Sequence, residues 1–144
     1  MKKIILIIGL LFNIQVIAKM HEIKMLNKGS NGERMVFEPS FLKVSVGDSV
    51  KFVPTKKGHS VQSLSKKGDA SPAGVKPFKS KMNKEYTLKI EKEGVYAYKC
   101  RPHYAMGMVG LIVAGKPVNI ETIKKIKLKG KAKKRMAKLF EMVK

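Results

Sequence analysis

The sequence predicts an all-β fold, a sandwich of two packed sheets that carries two short α-helices at its C-terminal end. Two observations predict the sheets: short runs in which apolar and polar residues alternate, and turn residues between those runs. A third observation predicts the helices, because the apolar residues change from a strand period to a helical period after residue 116. The chain of 144 residues is long enough for one such domain.

Residues 1–18 are expected to form a signal peptide that is removed from the mature chain. Two lysines follow Met1, an apolar run covers residues 4–12, and Ala18 is a small residue suited to cleavage. The apolar run is too short to cross a bilayer, and no second run follows it. A buried strand or an uncleaved anchor is the alternative. The mature chain is expected to be exported, monomeric and without a membrane span.

The sandwich is expected to cover residues 19–116. Gly47-Asp48 lies between two strand runs and predicts a tight hairpin, and Glu93-Gly94 predicts another turn. Residues 66–77 are rich in Gly, Pro, Ser and Lys, which is typical of a long surface loop. The expected strands are residues 23–26, 41–46, 49–53, 86–90, 94–99 and 108–114.

Residues 117–144 are expected to form a helical extension that packs on the sandwich. Two apolar stripes at helical spacing flank Gly130: they are Ile120, Ile123 and Ile126, and then Met136, Leu139, Phe140 and Val143. The basic side of this tail could bind nucleic acid or an anionic membrane. A solvated helix face is the simpler interpretation, because docking on the sandwich uses the apolar stripes.

The charge is strongly positive, and the chain has a single cysteine. The formal net charge is +21, and without Lys2 and Lys3 the remaining 29 basic and 10 acidic residues give +19. A lone cysteine cannot form an internal disulfide, and an oxidising compartment threatens an exposed thiol. Cys100 is therefore expected either to be buried and inert or to be capped, and a metal is the cap that its neighbours indicate.

The stretch "YKCRPHYAMGMVG" places Cys100, His103 and Met108 in a loop between two predicted strands. Such a loop can direct all three side chains toward one point, and His59 after an earlier strand offers a second imidazole. A thiolate, two imidazoles and a weak thioether are the ligands of blue copper electron-transfer sites. His21 lies near the mature N-terminus, where fraying makes a rigid ligand less suitable, and its role is open.

Zinc binding, thiol catalysis and simple core packing are the alternative roles for the cysteine and its neighbours. A zinc site prefers a further nitrogen, oxygen or thiolate donor, and none is evident. A catalytic Cys–His pair needs an orienting third group, and no signature of one occurs. The methionines could be core filler. The combination of donors in a β-rich, exported chain favours type-1 copper over each of these.

Short motifs are distributed along nearly the whole mature chain. They are "MLNKG" at 25–29, "MVFEP" at 35–39, "KGH" at 57–59, "FKSK" at 78–81, "GVY" at 94–96 and "PHYAMGMVG" at 102–110. These motifs resemble the cupredoxins, and within them the pseudoazurin group. This resemblance implies a Greek-key β-sandwich in which His59, Cys100, His103 and Met108 hold a single copper ion. It also implies a periplasmic electron carrier that serves an acidic redox protein such as copper nitrite reductase and is reduced by an upstream donor.

The resemblance also implies roles around the metal. Met106 is expected to lie near the exposed imidazole without binding copper, and Pro102 to fix the loop and deny the sulfur an extra backbone donor. Ser60 and Arg101 stand where the family usually has Asn and Thr, which bond to each other and join the two ligand loops. Copper is still expected to bind, with the Ser60 N–H donating to the Cys100 sulfur. The reduction potential of the site is expected to differ from that of the family.

By the same resemblance, lysines surround the exposed edge of His103 and steer acidic partners toward it; they are Lys28, Lys57, Lys79, Lys81 and Lys99. Solubility alone is the alternative role for these lysines. A copper-delivery protein is the rival function, although a committed cysteine predicts slow exchange. No nucleic-acid-binding module is recognisable. No enzyme is expected, because protein donors fill all four metal positions.

Overall fold

The computed structural model describes residues 15–144, and most of the predicted signal peptide (residues 1–14) lies outside the described residues. Within residues 15–144, no helix has the length and apolar character needed to cross a membrane. A short 3₁₀ helix covers Tyr104–Met106. The strands are β1 (Met20–Lys28), β2 (Arg34–Glu38), β3 (Phe41–Val44), β4 (Ser49–Pro54), β5 (Gln62–Ser63), β6 (Tyr86–Lys89), β7 (Gly94–Lys99) and β8 (Val109–Ala114), and the helices are α1 (Ile120–Lys124) and α2 (Gly130–Glu141).

The strands form two four-stranded sheets, in the orders β2-β1-β4-β6 and β3-β8-β7-β5. β1 pairs with β4, and β3 with β8, in parallel, whereas the other pairs are antiparallel. The inner faces of both sheets supply one apolar core, which includes Cys100 and Met108. The prediction of a β-sandwich is therefore confirmed.

An aromatic cluster fills the core beneath the end of β7. The Tyr98 ring meets Phe37 and Phe52 edge to face, with ring centroids 4.8 and 5.0 Å apart. Tyr98 faces Gly110 on β8, and a Cβ atom on Gly110 would lie 2.3 Å from the tyrosine ring. Only glycine leaves enough room for the ring at that position.

The two helices pack on the outer face of the second sheet. Ile123, Met136 and Leu139 are buried there against apolar residues of β7 and β8. The Asn119 side chain ties α1 to β7 by accepting from the Val95 N–H at 2.7 Å and donating to its carbonyl at 2.8 Å. β7 and β8 therefore lie between two apolar layers, and all six residues of β8 are buried.

The hairpin predicted at Gly47-Asp48 is wrong, because β3 and β4 belong to different sheets. The turn carries the chain across the sandwich, and the Asp48 carboxylate holds it there. That carboxylate accepts from the Lys19 N–H at 2.9 Å and the Ser45 N–H at 3.0 Å, and it lies 2.7 Å from His21 Nε2. Local alternation cannot distinguish such a crossing from a hairpin, since both place a turn between two strands.

The surface loop predicted at residues 66–77 is only partly exposed. Its middle, residues 70–72, is buried, and the Ala70 carbonyl accepts from the Ala97 N–H on β7 at 2.8 Å. Two strands were not among the expected ones: β2, and the two-residue β5 that borders β7. β5 is too short to display an alternation, and β2 has three consecutive apolar residues, Met35, Val36 and Phe37, so it does not alternate.

Candidate metal centre

Three of the four predicted ligands lie together at one end of the sandwich. His59 follows β4, Cys100 follows β7, and His103 precedes the 3₁₀ helix. Their donor atoms all lie within 4.8 Å of one another. Cys100 Sγ is 3.8 Å from His59 Nδ1 and 3.6 Å from His103 Nδ1. His59 and Cys100 are fully buried, whereas His103 is partly exposed and forms the surface edge of the cluster.

Met108, the fourth predicted ligand, is fully buried in the core cluster that also contains Cys100. Two backbone hydrogen bonds close the loop that joins them. The Cys100 N–H donates to the Met108 carbonyl at 3.0 Å, and the Met108 N–H donates to the His103 carbonyl at 3.2 Å. The loop between Cys100 and Met108 is therefore held by its own backbone and keeps the sulfur and imidazole donors close together.

The 3₁₀ helix shapes the exposed half of this loop. The Met106 N–H donates to the His103 carbonyl at 3.0 Å, and the Gly107 N–H donates to the Tyr104 carbonyl at 2.9 Å. Gly107 ends the turn at a φ of 84°, a conformation that favours glycine. Met106 is 39% exposed on the surface of this turn. It follows His103 by three residues and lies outside the buried cluster.

Asn27 orients the His59 ring. The His59 Nε2 lies 2.8 Å from Asn27 Oδ1, so that nitrogen donates and leaves Nδ1 as the bare nitrogen on the side of the Cys100 sulfur. Burial, with a smaller contribution from nearby His103, lowers the pKa of His59. Both effects favour the neutral imidazole, the form that binds metals. Asn27 was not predicted as a site residue, because nothing local to "MLNKG" indicates contact with a histidine 32 residues away.

The Cys100 sulfur is buried but receives two backbone donors. Burial raises the pKa of the Cys100 thiol, and the N–H groups of Ser60 and His103 oppose that change by bonding to the sulfur. The donation from Ser60 was predicted. Pro102 has no N–H to offer, yet the sulfur still acquires a second donor from His103, which was not predicted.

Ser60 and Arg101 lie on one groove of about 370 Å³ next to the buried donors. Ser60 is buried and Arg101 is exposed. Among the hydrogen bonds of residues 15–144, none joins these two side chains, as expected for a short hydroxyl opposite a long cation. The rest of the groove consists of Lys79, Ser80, Lys81 and Met82.

The five predicted docking lysines all border segments of this site. Lys57 precedes Gly58, where an added Cβ atom would lie 3.7 Å from the His103 ring. Lys28 follows Asn27, and Lys79 and Lys81 line the groove with Arg101. Lys99 differs from the others, because it is half-buried and its Nζ lies 4.9 Å from the Tyr104 ring centroid. Burial lowers the pKa of Lys99, with a smaller effect from Lys66.

His21 lies apart from the other two histidines, because it pairs with Asp48 at the turn between β3 and β4. Within residues 15–144, the donor cluster contains His59, Cys100 and His103 only. A thiolate, two imidazoles and a buried thioether suit both oxidation states of copper. The residues present therefore fit a copper ion.

The fold and the donor set define a class of protein, and comparison with known proteins identifies it. Residues 23–115 match the family described as copper binding proteins, plastocyanin/azurin family. The chain belongs to this cupredoxin family, whose members bind copper.

Within that family the similarity is to pseudoazurins. The chain is 47% identical to pseudoazurin of Paracoccus pantotrophus over 120 residues, covering 83% of this chain and 80% of the relative. It is 49% identical to a putative pseudoazurin of Rhizobium leguminosarum bv. viciae over 117 residues, covering 81% and 74%. The native pseudoazurin of Hyphomicrobium denitrificans superposes with a TM-score of 0.80 at 47% identity, covering 87% of this chain and 98% of that one. The chain is thus a pseudoazurin-type cupredoxin, an electron-transfer protein with type-1 copper and not an enzyme.

Proposed function

We propose that this protein is a periplasmic carrier of single electrons whose copper is held by His59, Cys100, His103 and Met108. It accepts an electron from an upstream donor and passes it to an acidic redox partner such as a copper nitrite reductase. The observation that carries the proposal is the cluster of three donor atoms within 4.8 Å of one another, of which only His103 reaches the surface.

When bound, copper supplies the one-electron couple Cu(II)/Cu(I), and the protein supplies a frame that suits both states. The buried sulfur atoms of Cys100 and Met108 exclude water from the inner side of the site. The backbone bonds of the ligand loop, together with Asn27 behind His59, restrict movement of the donors. A site that rearranges little between oxidation states exchanges electrons quickly.

The partly exposed ring of His103 is the route between the site and a partner. Met106, 39% accessible, ends the 3₁₀ helix that follows His103, and Met82, 46% accessible, lines the groove that contains Arg101. These side chains provide apolar surface at this end of the molecule, and the five lysines provide positive charge. Acidic partners are therefore attracted to this end of the molecule, and apolar contact lets the complex form without tight retention. Lys99 contributes least to steering, since it is half-buried against Tyr104.

The start of the sandwich supports removal of residues 1–18. β1 begins at Met20, and the Lys19 N–H is bound to Asp48, so the described hydrogen bonds of the sandwich begin at residue 19. Export also suits a protein whose single thiol is buried. Mass spectrometry of the protein from the periplasm of an expressing bacterium is expected to give a chain that begins at residue 19. Recovery of the full chain from the cytoplasm would contradict this part of the proposal.

The metal assignment is tested by adding Cu(II) to the purified protein. An intense visible band from thiolate-to-copper charge transfer is expected in the native protein and in His21→Ala, a control that removes an imidazole elsewhere. The band is expected to be lost in Cys100→Ser and strongly altered in His59→Ala. A colourless native protein would instead favour copper delivery.

The partner assignment is tested by stopped-flow electron transfer to an acidic copper nitrite reductase. The rate is expected to fall steeply with ionic strength, because salt screens exposed charges. Lys57→Glu is expected to slow transfer about tenfold at low salt. Lys43→Glu, the same change on β3 away from the site, is expected to have little effect. Equal effects of the two substitutions, or rates independent of salt, would overturn the steering role.

A further inference from the structure

A groove with an apolar floor and a rim of lysines lies between the α1–α2 connection and the outer side of α2. Its volume is about 600 Å³. Ile126, Leu128 and Phe140 form much of the floor, and each is partly exposed while also packed against the apolar layer beneath the helices. The lysines that line it are Lys124, Lys125, Lys127, Lys129 and Lys133, all exposed.

Within residues 15–144, most of the charge of this region is not compensated by ion pairs. Residues 122–140 contain nine Lys or Arg residues and no Asp or Glu. Among the described residues only two of the nine form ion pairs, Lys124 with Glu121 and Arg135 with Glu33. Lys134 and Lys138 are four residues apart on α2, a spacing at which like charges destabilise a helix. Repulsion within this concentration of positive charge therefore lowers the stability of the folded protein. Its presence despite that cost indicates a negatively charged partner outside the protein.

The connection between the helices is amphipathic. The segment "KIKLK" at residues 125–129 alternates lysine with an apolar residue. Its lysines are exposed, whereas Ile126 and Leu128 are partly buried at the groove. Lysine side chains with flexible apolar stems can lie along such a surface and place their ammonium groups at a layer of phosphates.

We propose that this groove docks the protein on an anionic phospholipid bilayer. The lysine ammonium groups contact lipid phosphates, and the floor of Ile126, Leu128 and Phe140 lies against the acyl boundary. A bilayer interacts with both the rim and the floor of the groove. Each lysine near an anionic surface adds electrostatic attraction, and the apolar residues gain free energy when the membrane removes them from water. Docking of this kind does not depend on copper, so it can fail or succeed independently of the proposed electron transfer.

The test measures sedimentation of the copper-loaded protein, purified after export, with vesicles of phosphatidylcholine containing phosphatidylglycerol. Binding is expected to the mixed vesicles and not to pure phosphatidylcholine. The triple variant Lys127→Glu, Lys129→Glu and Lys133→Glu is expected to bind at least about tenfold more weakly. A matched control makes the same change in net charge in the loop between β5 and β6, with Lys66→Glu, Lys67→Glu and Lys76→Glu, and is expected to lose less than about threefold.

The apolar floor is tested separately with Leu128→Ser. At high salt, where charge attraction is screened, this variant is expected to bind mixed vesicles several-fold more weakly than the native protein. An unchanged visible spectrum verifies that each variant keeps its fold. Absence of binding to anionic vesicles, or equal losses in the two triple variants, would overturn the proposal. So would a groove variant that binds vesicles normally but transfers electrons poorly to an acidic protein, which would identify a protein-docking surface.

Discussion

Single hydrogen bonds and charges next to the donors determine how this site behaves. Asn27 holds one imidazole, and the Ser60 N–H donates to the sulfur. Arg101 is a cation that lines the groove next to the metal donors together with Ser60, and it has no partner among the described ion pairs. A cation near the site stabilises the reduced state, because reduction removes one positive charge. We therefore expect the two departures from the family pattern to change the reduction potential.

The double variant Ser60→Asn with Arg101→Thr is expected to have a lower reduction potential than the native protein. It loses a cation next to the site and regains two side chains able to join the ligand loops. Redox titration of the visible band measures the change. Lys43→Thr, which removes the same charge from β3, serves as the control and is expected to leave the potential nearly unchanged. An unshifted double variant would exclude this role for the two residues.

Within the described part of the chain, residues 15–144, the hydroxyl of Tyr98 has no hydrogen-bond partner. The side chain is fully buried, and burial raises the pKa of Tyr98. Tyr98→Phe keeps the ring that Gly110 accommodates and removes a buried polar atom, so it is expected to stabilise the protein by about 1 kcal/mol. Urea unfolding measures this difference, with the partnered Tyr96→Phe, expected to destabilise, as the control. Destabilisation by Tyr98→Phe would indicate an undetected partner such as water.

At the scale of elements, Arg135 joins α2 to the ligand loop. Its guanidinium donates to the carbonyls of Gly107 at 2.9 Å, Met35 at 2.8 Å and Arg34 at 3.0 Å. The helix lies so close that a Cβ atom on Gly107 would be 2.9 Å from the Lys131 side chain. The helical extension therefore supports the metal site as well as covering the sheet.

Arg135→Met is expected to lower the free energy of unfolding by about 2–4 kcal/mol, because three carbonyls lose a charged donor. The visible spectrum of the copper form is also expected to change, since the Gly107 carbonyl immediately precedes Met108. Lys138→Met, three residues along the same helix and exposed, controls for loss of charge on α2. Loss of stability with an unaltered spectrum would limit Arg135 to a structural role.

At the scale of the whole molecule, Asp48 connects the start of β1 to the crossing between the sheets. The Lys19 N–H, followed by His21 and the Ser45 N–H, lowers the pKa of Asp48 to about 2, from an ordinary 3.8. A folded-state pKa below the unfolded value means that the carboxylate stabilises the fold above pH 4. That stabilisation is lost as the pH falls from 4 toward 2.

The Asp48→Asn variant is therefore expected to be less stable than the native protein at pH 6 and to approach it in stability near pH 2. Thermal unfolding of both proteins between pH 6 and pH 2 gives the difference in their stability. Effects that the two proteins share, such as copper release in acid, cancel in this difference. Asp69→Asn, in the loop between β5 and β6, is the control. A difference that does not depend on pH would contradict the assigned role of the carboxylate.

The ligand loop and the helices could be predicted from sequence because their information is local. Cys100, His103 and Met108 lie within nine residues, so any loop between adjacent strands keeps them close, and the stripe of Met136 and Leu139 identifies a buried helix face. The alternation of apolar and polar residues along each strand is also local, and it predicted the sandwich.

The sheet that each strand joins, and the distant groups that support the site, depend on how the chain packs in three dimensions. The alternation of apolar and polar residues in β3 and β4 is the same whether the two strands pair with each other or lie in different sheets. They lie in different sheets because β3 pairs with β8 and β4 pairs with β1, in both cases in parallel. Asn27 reaches His59 across 32 residues, and Arg135 reaches Arg34 across 101. The donors and the type of fold could be predicted from the sequence, because they follow from residue type and short-range period. Long-range hydrogen bonds depend on how the packed layers meet, and no local pattern encodes them.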